Sequence, residues 1–120
     1  MKILVVDDSS VMRKLVSRSI RQAGYPDADV IEAENGKEAL DIATSAMPDV
    51  ILADWNMPVM TGIEMLRALN KEAGGLAVGF ITSESTDEIK QQAESAGAAF
   101  FLSKPIDVDD LSDALQAVIA

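Results

Sequence analysis

Four apolar runs in this chain end in residues that can do chemistry. Val50-Ile51-Leu52-Ala53 ends in Asp54, and the Trp-Asn-Met-Pro that follows is unsuited to continuing a strand. Ile3-Leu4-Val5-Val6 ends in Asp7-Asp8, Val78-Gly79-Phe80-Ile81 in Thr82, and Phe100-Phe101-Leu102-Ser103 in Lys104. If these runs lie parallel in one sheet, their ends meet at one edge. Three carboxylates, a hydroxyl and an ammonium then surround one small space. Taken singly, each residue has an ordinary role. Asp7-Asp8 can cap a helix and offset its dipole, Asp54 can turn the chain before Pro58, Thr82 can satisfy backbone, and Lys104-Pro105 can end a strand. Their joint placement at four strand ends is what points to a site.

Three carboxylates held together repel one another. Two unit charges about 4 Å apart cost roughly 4 kcal/mol at an effective dielectric near 20. That is a large share of the about 5–15 kcal/mol that stabilises a domain. A divalent cation removes the cost, and hard oxygen donors with few other ligands suit Mg²⁺, which keeps waters and favours a phosphate partner. Three aspartates and one lysine leave a formal charge of −2, which one Mg²⁺ neutralises. Metal and lysine for the equatorial oxygens, with a carboxylate as nucleophile, are the parts that phosphoryl transfer uses.

Composition removes several alternatives. The chain has 120 residues, enough for one domain with a real core, and 48% are hydrophobic. It has no cysteine and no histidine, so thiolate chemistry, histidine-ligated zinc, a Ser-His-Asp triad and a phosphohistidine carrier role are all excluded. A formal net charge of −10 disfavours contact with nucleic acid or an anionic membrane. No apolar run approaches the roughly 18–20 residues of a membrane span, and the first apolar stretch is too short for a signal peptide. A cytoplasmic location is the expectation.

Helical and strand patterns alternate from end to end. Ser9 or Ser10 can cap a first helix with Met12, Leu15, Val16, Ile20 and Ala23 on its apolar stripe. A second strand near Asp29–Ala33 alternates polar and apolar residues and reads as an edge. Asn35 opens a helix expected to bury Ala39, Leu40, Ala43 and Met47, and Pro48 ends it. A helix from about Gly62 presents Met65, Leu66 and Leu69. Gly74-Gly75 turns the chain into the fourth strand. A helix over about Thr86–Ala96 turns Ile89 and Ala93 inward. The last helix, from about Val108, uses Leu111, Ala114, Leu115 and Val118.

Five strand–helix pairs predict an α/β fold with helices on both faces of a parallel sheet. The first, third and fifth strands are continuous apolar runs, as expected where both faces are covered. Right-handed crossovers set the first and third strands side by side at the point where the winding reverses, and ligands bind at such a point. Asp7, Asp8 and Asp54 fall there.

With Val-Val-Asp-Asp-Ser (5–9), Asp-Trp-Asn-Met-Pro-Val-Met-Thr-Gly-Ile-Glu (54–64), Thr82-Ser83 and Lys104-Pro105, the chain resembles the receiver domain of two-component response regulators. It is most similar to the CheY-like single-domain regulators of chemotaxis, and the resemblance spans residues 1–120 as one receiver domain. It implies a flavodoxin-like, doubly wound sheet in the order 2-1-3-4-5. It implies that Asp54 accepts a phosphoryl group from a histidine kinase or phosphotransfer protein. Asp8 and Asp54 would hold Mg²⁺ with the backbone carbonyl of Asn56, and Asp7 would act through water. Lys104 and Thr82 would contact the phosphoryl group, and Ser83 matches a position kept small for donor access. Lys104-Pro105 matches a bond that is commonly cis in the family.

The same resemblance makes Phe101 the aromatic residue that swings inward on switching. Chemotaxis members carry tyrosine there, so a partner contact through its hydroxyl is lost, which counts against a flagellar-motor partner. Asn56 and Glu84 would border the path of the water that removes the phosphoryl group. The output surface would be the fourth helix, fifth strand and fifth helix.

Two other classes fit these residues less well. A Mg²⁺-dependent phosphatase working through an aspartyl phosphate needs a carboxylate two residues after its nucleophile, where this chain has Asn56. A dinucleotide or flavin binder lacks its Gly-x-Gly-x-x-Gly after the first strand, and Asp7-Asp8 would repel its phosphate. The expectation is a switch and not a turnover enzyme. A receiver excised from a longer regulator or hybrid kinase stands beside the single-domain reading.

Overall fold

The computed structural model describes residues 1–72 and 74–119. Strands and helices alternate along them: β1 (Lys2–Val6), α1 (Ser10–Gln22), β2 (Asp29–Ala33), α2 (Gly36–Ala46), β3 (Val50–Ala53), α3 (Gly62–Glu72), β4 (Ala77–Thr82), α4 (Asp87–Ser95), β5 (Phe100–Ser103) and α5 (Val108–Ile119). All paired strands run parallel, in the order β2-β1-β3-β4-β5. This is the doubly wound (βα)5 arrangement expected, with β2 at an edge.

Side chains alternate strictly between two cores, because successive residues of a strand face opposite ways. Leu4, Val6, Ile51, Ala53, Val78 and Phe80 face the layer of α2, α3 and α4, where Leu40, Met65, Leu66 and Leu69 meet them. Ile3, Val5, Val50, Leu52 and Ile81 face α1 and α5, against Val16, Ile20, Leu111 and Leu115. A leucine fully buried in this way contributes about 1.5–3 kcal/mol relative to exposure. Gly79 lies opposite Phe100 in the sheet, and a Cβ there would run into the Phe100 ring.

Side-chain caps set where the helices begin. Ser9, Asn35 and Thr86 each accept the backbone N–H three residues on, from Met12, Glu38 and Ile89. Thr61 and Glu64 bond reciprocally at the start of α3, Thr61 N–H to Glu64 Oε1 at 3.0 Å and Glu64 N–H to Thr61 Oγ1 at 3.4 Å. The Thr61 N–H and the Thr61 hydroxyl both donate to Glu64 Oε1 and lower the pKa of that carboxyl from its ordinary value.

Three readings of the pattern need correction. Leu15 is 45% exposed, because it lies on the flank of the α1 stripe that α5 does not cover. Met47 is 59% exposed: it is the C-cap of α2 with φ 48°, and the left-handed turn takes its side chain off the helix face. β5 is an apolar run but an edge strand, so Phe100, Phe101 and Leu102 are only half-buried.

Candidate phosphoryl-acceptor site

The sheet register assembles the site. Val6 pairs with Ala53, so the residues that follow, Asp7 and Asp54, leave adjacent strands together at the carboxyl edge. Asp54 N–H still donates to Val6 O at 3.0 Å, which extends the ladder by one step. Thr82 closes β4 opposite Ser103, and Lys104 N–H donates to Thr82 O at 2.9 Å. The loop after Asp54 is pulled tight where Gly62 N–H donates to Trp55 O. A Cβ at Gly62 would lie 2.6 Å from the Phe80 ring, so only glycine permits that approach.

Asp7, Asp8 and Asp54 each offer a carboxylate oxygen, and these oxygens lie within 4.8 Å of one another. Lys104 Nζ lies between two of the three, 3.1 Å from Asp7 Oδ2 and 3.3 Å from Asp54 Oδ2. Burial opposes charge on the Lys104 ammonium. The hydrogen bond to Asp7 and the charges of Asp54 and Asp7 outweigh it, and the pKa lies above the ordinary lysine value. The other Asp54 oxygen, Oδ1, accepts the Trp55 N–H at 2.7 Å. The donor set is all carboxylate oxygen, clustered and partly balanced by one cation, and it fits a hard divalent metal.

Asp7 is 4% exposed and every polar group on it is engaged. Its N–H donates to Ala33 O, its carbonyl accepts from Arg13 Nη1, Oδ1 accepts the Ser9 N–H, and Oδ2 accepts from Lys104. Asp8 is exposed, and among the described residues no hydrogen bond or ion pair engages its carboxylate. Thr82 is buried. Its hydroxyl accepts the Glu84 N–H at 3.2 Å, which leaves its own proton available to donate. Asn56 and Glu84 are both exposed and meet across the mouth, the amide of Asn56 donating to Glu84 Oε1. Ser83 is exposed beside them, and the Lys104-Pro105 bond is cis.

Two features lie outside the sequence reading. Trp55, although next to the charged pocket, is only 7% exposed. It packs edge-on against Phe80 with ring centroids 5.1 Å apart, and Phe101 lies 6.5 Å from it on the same side. Phe101 is therefore half-buried against that aromatic pair in this structure. The buried Arg13 beside Asp7 was missed. Its signal was its spacing: Arg13, Val16 and Ile20 recur at helical period on the buried face of α1.

The fold and site define a class. The profile of the response regulator receiver domain matches residues 3–116, and the chain belongs to that family. It is 34% identical to the sporulation initiation phosphotransferase F of Bacillus subtilis, over 96% of this chain and 90% of that one. It is likewise 34% identical to the chemotaxis protein CheY of Pseudomonas aeruginosa, over 98% and 95%. The solved structure of the Vibrio cholerae chemotaxis protein CheY4 superposes with a TM-score of 0.85 at 39% identity, covering 98% of this chain and 97% of that one. The chain is thus a receiver domain of the two-component type, a phosphoryl-accepting signalling switch. Receiver domains generally hold Mg²⁺ at an acidic pocket such as this one, and act with kinases or phosphotransfer proteins and downstream targets. Among the described residues, no helix is long and apolar enough to cross a membrane.

Proposed function

We propose that Asp54 is the phosphoryl acceptor and that residues 1–120 work as a single receiver domain in the cytoplasm. The observation that carries this is the Lys104 ammonium held between Asp7 and Asp54 inside the three-carboxylate cluster. An Asp54 oxygen attacks the phosphorus of a donor's phosphohistidine. The O–P bond forms as the P–N bond breaks, and the imidazole nitrogen keeps the electron pair. Lys104 balances charge on the phosphoryl oxygens, and the Thr82 hydroxyl donates to one of them. Asp8, Asp54 and the Asn56 carbonyl would hold Mg²⁺, with Asp7 reached through water. When bound, the ion supplies charge neutralisation at the carboxylates and the transferred group.

The switch runs from that site to the protein surface. Phosphorylation takes the Asp54 side chain from −1 to about −2, and Thr82 and Lys104 sense the added oxygens. Phe101 then moves further toward Trp55 and Phe80, changing the surface of α4, β5 and α5 that meets the output partner. Asn56 and Glu84 border the water that later attacks the phosphorus, so they set the lifetime. The chain is a switch and not a turnover enzyme, and multiple-turnover hydrolysis of a phosphate ester should be absent.

Trp55 provides the test, since it follows Asp54 directly and its backbone N–H donates to Asp54 Oδ1. Its fluorescence should respond to Mg²⁺ and again to acetyl phosphate. The second response should vanish in Asp54→Ala; its survival there would reassign the acceptor.

A further inference from the structure

Arg13 is a buried cation that the proposed phosphoryl chemistry does not use. It is 9% exposed, sits on the first turn of α1, and its guanidinium forks between two elements. Nη1 donates to the backbone carbonyl of Asp7 at 2.6 Å, and Nε donates to Glu32 Oε1 on β2 at 2.8 Å. The carbonyl it holds belongs to the peptide joining Asp7 to Asp8. From β2 the same stretch of chain is held a second time, through Asp7 N–H on Ala33 O. The carboxylate of Asp8 hangs from this peptide with no hydrogen bond or ion pair of its own among the described residues. The peptide is therefore the hydrogen-bonded anchor nearest to it.

We propose that Arg13, aligned by Glu32, is a positioning residue for the cation site. It fixes the Asp7–Asp8 peptide so that the Asp8 carboxylate stays beside Asp54 before any ligand arrives. A rigid planar fork can do this because its two donors point to fixed places, which a lysine ammonium cannot reproduce. Glu32 is half in water, so its part is to orient the guanidinium and offset its charge. Partners that orient metal ligands from outside the coordination shell typically contribute about 10–100-fold in metal affinity.

The inference rests on the Mg²⁺ reading of the acidic cluster, and the experiment separates the two. Mg²⁺ is titrated against Trp55 fluorescence in the wild type and in Arg13→Met, Arg13→Lys, Glu32→Gln and Glu32→Ala. Ile20→Val, on the same face of α1 but remote from the site, reports what a general loss of packing does. Arg13→Met should weaken Mg²⁺ binding by about tenfold or more. Arg13→Lys should not restore it, Glu32→Ala should give a smaller loss, and Glu32→Gln, which keeps the acceptor oxygen, should stay near wild type. Ile20→Val should bind Mg²⁺ normally. Without metal, amide exchange at Asp8 and Ser9 should speed up in Arg13→Met.

Wild-type affinity in a folded Arg13→Met, or full rescue by Arg13→Lys, overturns the positioning role. If Arg13→Met does not fold, Glu32→Ala decides: unchanged affinity and unchanged Asp8 exchange overturn the proposal. A wild type that shows no Mg²⁺ response sinks the reading of the cluster itself, and is distinguishable from all of these.

Discussion

Asp7 and Asp8 are neighbours in sequence but belong to two differently built regions of the site. Asp7 is part of a floor with buried Thr82 and Arg13 and half-buried Lys104, and all of its polar groups are bonded. Asp8 belongs to an exposed rim with Ser83, Asn56 and Glu84, where Asn56 and Glu84 bond mainly across to each other. The floor is assembled from β1, β2, α1, the end of β4 and the segment after β5 by bonds within the protein. The rim is left free for a ligand. One dipeptide thus supplies an aspartate bonded into the scaffold and an aspartate whose carboxylate is unbonded among the described residues, both in the same cluster.

That contrast predicts different kinds of damage. The largest effect should come from the rim. Asp8→Ala should weaken Mg²⁺ binding beyond the about 10–100-fold expected for an outer-shell partner, as the direct-ligand role proposed for it requires. Its melting temperature should hold or rise, because one of three mutually repelling charges is gone. A clear loss of stability would show that Asp8 is also part of the scaffold.

The floor should respond in the opposite sense. Asp7→Ala leaves the Ser9 N–H without its acceptor and takes one partner from Lys104. It should cost about 1–3 kcal/mol of unfolding free energy in a urea titration. A midpoint equal to wild type would erase the distinction between the two aspartates.

Lys104 tests the floor through pH. Its folded pKa is raised above 10.5, since the hydrogen bond and charge of Asp7 and the charge of Asp54 outweigh its burial. A group whose folded pKa is raised contributes its full stability below the unfolded pKa and loses it as pH rises through the folded one. With EDTA present, the stability gap between wild type and Lys104→Met should be level from neutral pH to about pH 10 and narrow above it. A gap that closes below pH 9 would remove the ion pairs from the account of the floor.

The smallest changes in stability belong to the rest of the rim. Exposed Asn56 and Glu84 should tolerate apolar or basic replacement within about 0.5 kcal/mol. The dephosphorylation rate should nevertheless change, and an unaltered rate would leave their contact across the mouth without a kinetic role.

The floor and rim were unequally legible in the amino-acid sequence. Apolar runs ending in Asp7-Asp8, Asp54, Thr82 and Lys104 were enough to locate the edge, because strand direction and alternation are written in the chain. Ser9, Asn35 and Thr86 marked helix starts through their side-chain chemistry. The extent to which one element covers another was not legible. Leu15 and Val16 are adjacent on α1, and only packing against α5 decides that the second is buried. Trp55 carries the same limit: nothing in its place next to Asp54 tells that the ring packs on Phe80 of β4 in the core. Arg13 was hidden for a different reason. An arginine at a buried helical position reads as a break in the apolar stripe until its two acceptors, the Asp7 carbonyl and Glu32, are brought together by the fold.

The most direct test of the central claim is to locate the phosphoryl group. The protein is incubated with Mg²⁺ and acetyl phosphate, the acyl phosphate is trapped by borohydride reduction, and the modified residue is found by peptide mass spectrometry. One modified residue, Asp54, is predicted, with the modification lost in EDTA and in Asp54→Asn. Modification at Asp7 or Asp8, or a modified Asp54 that forms equally well without metal, would contradict the account.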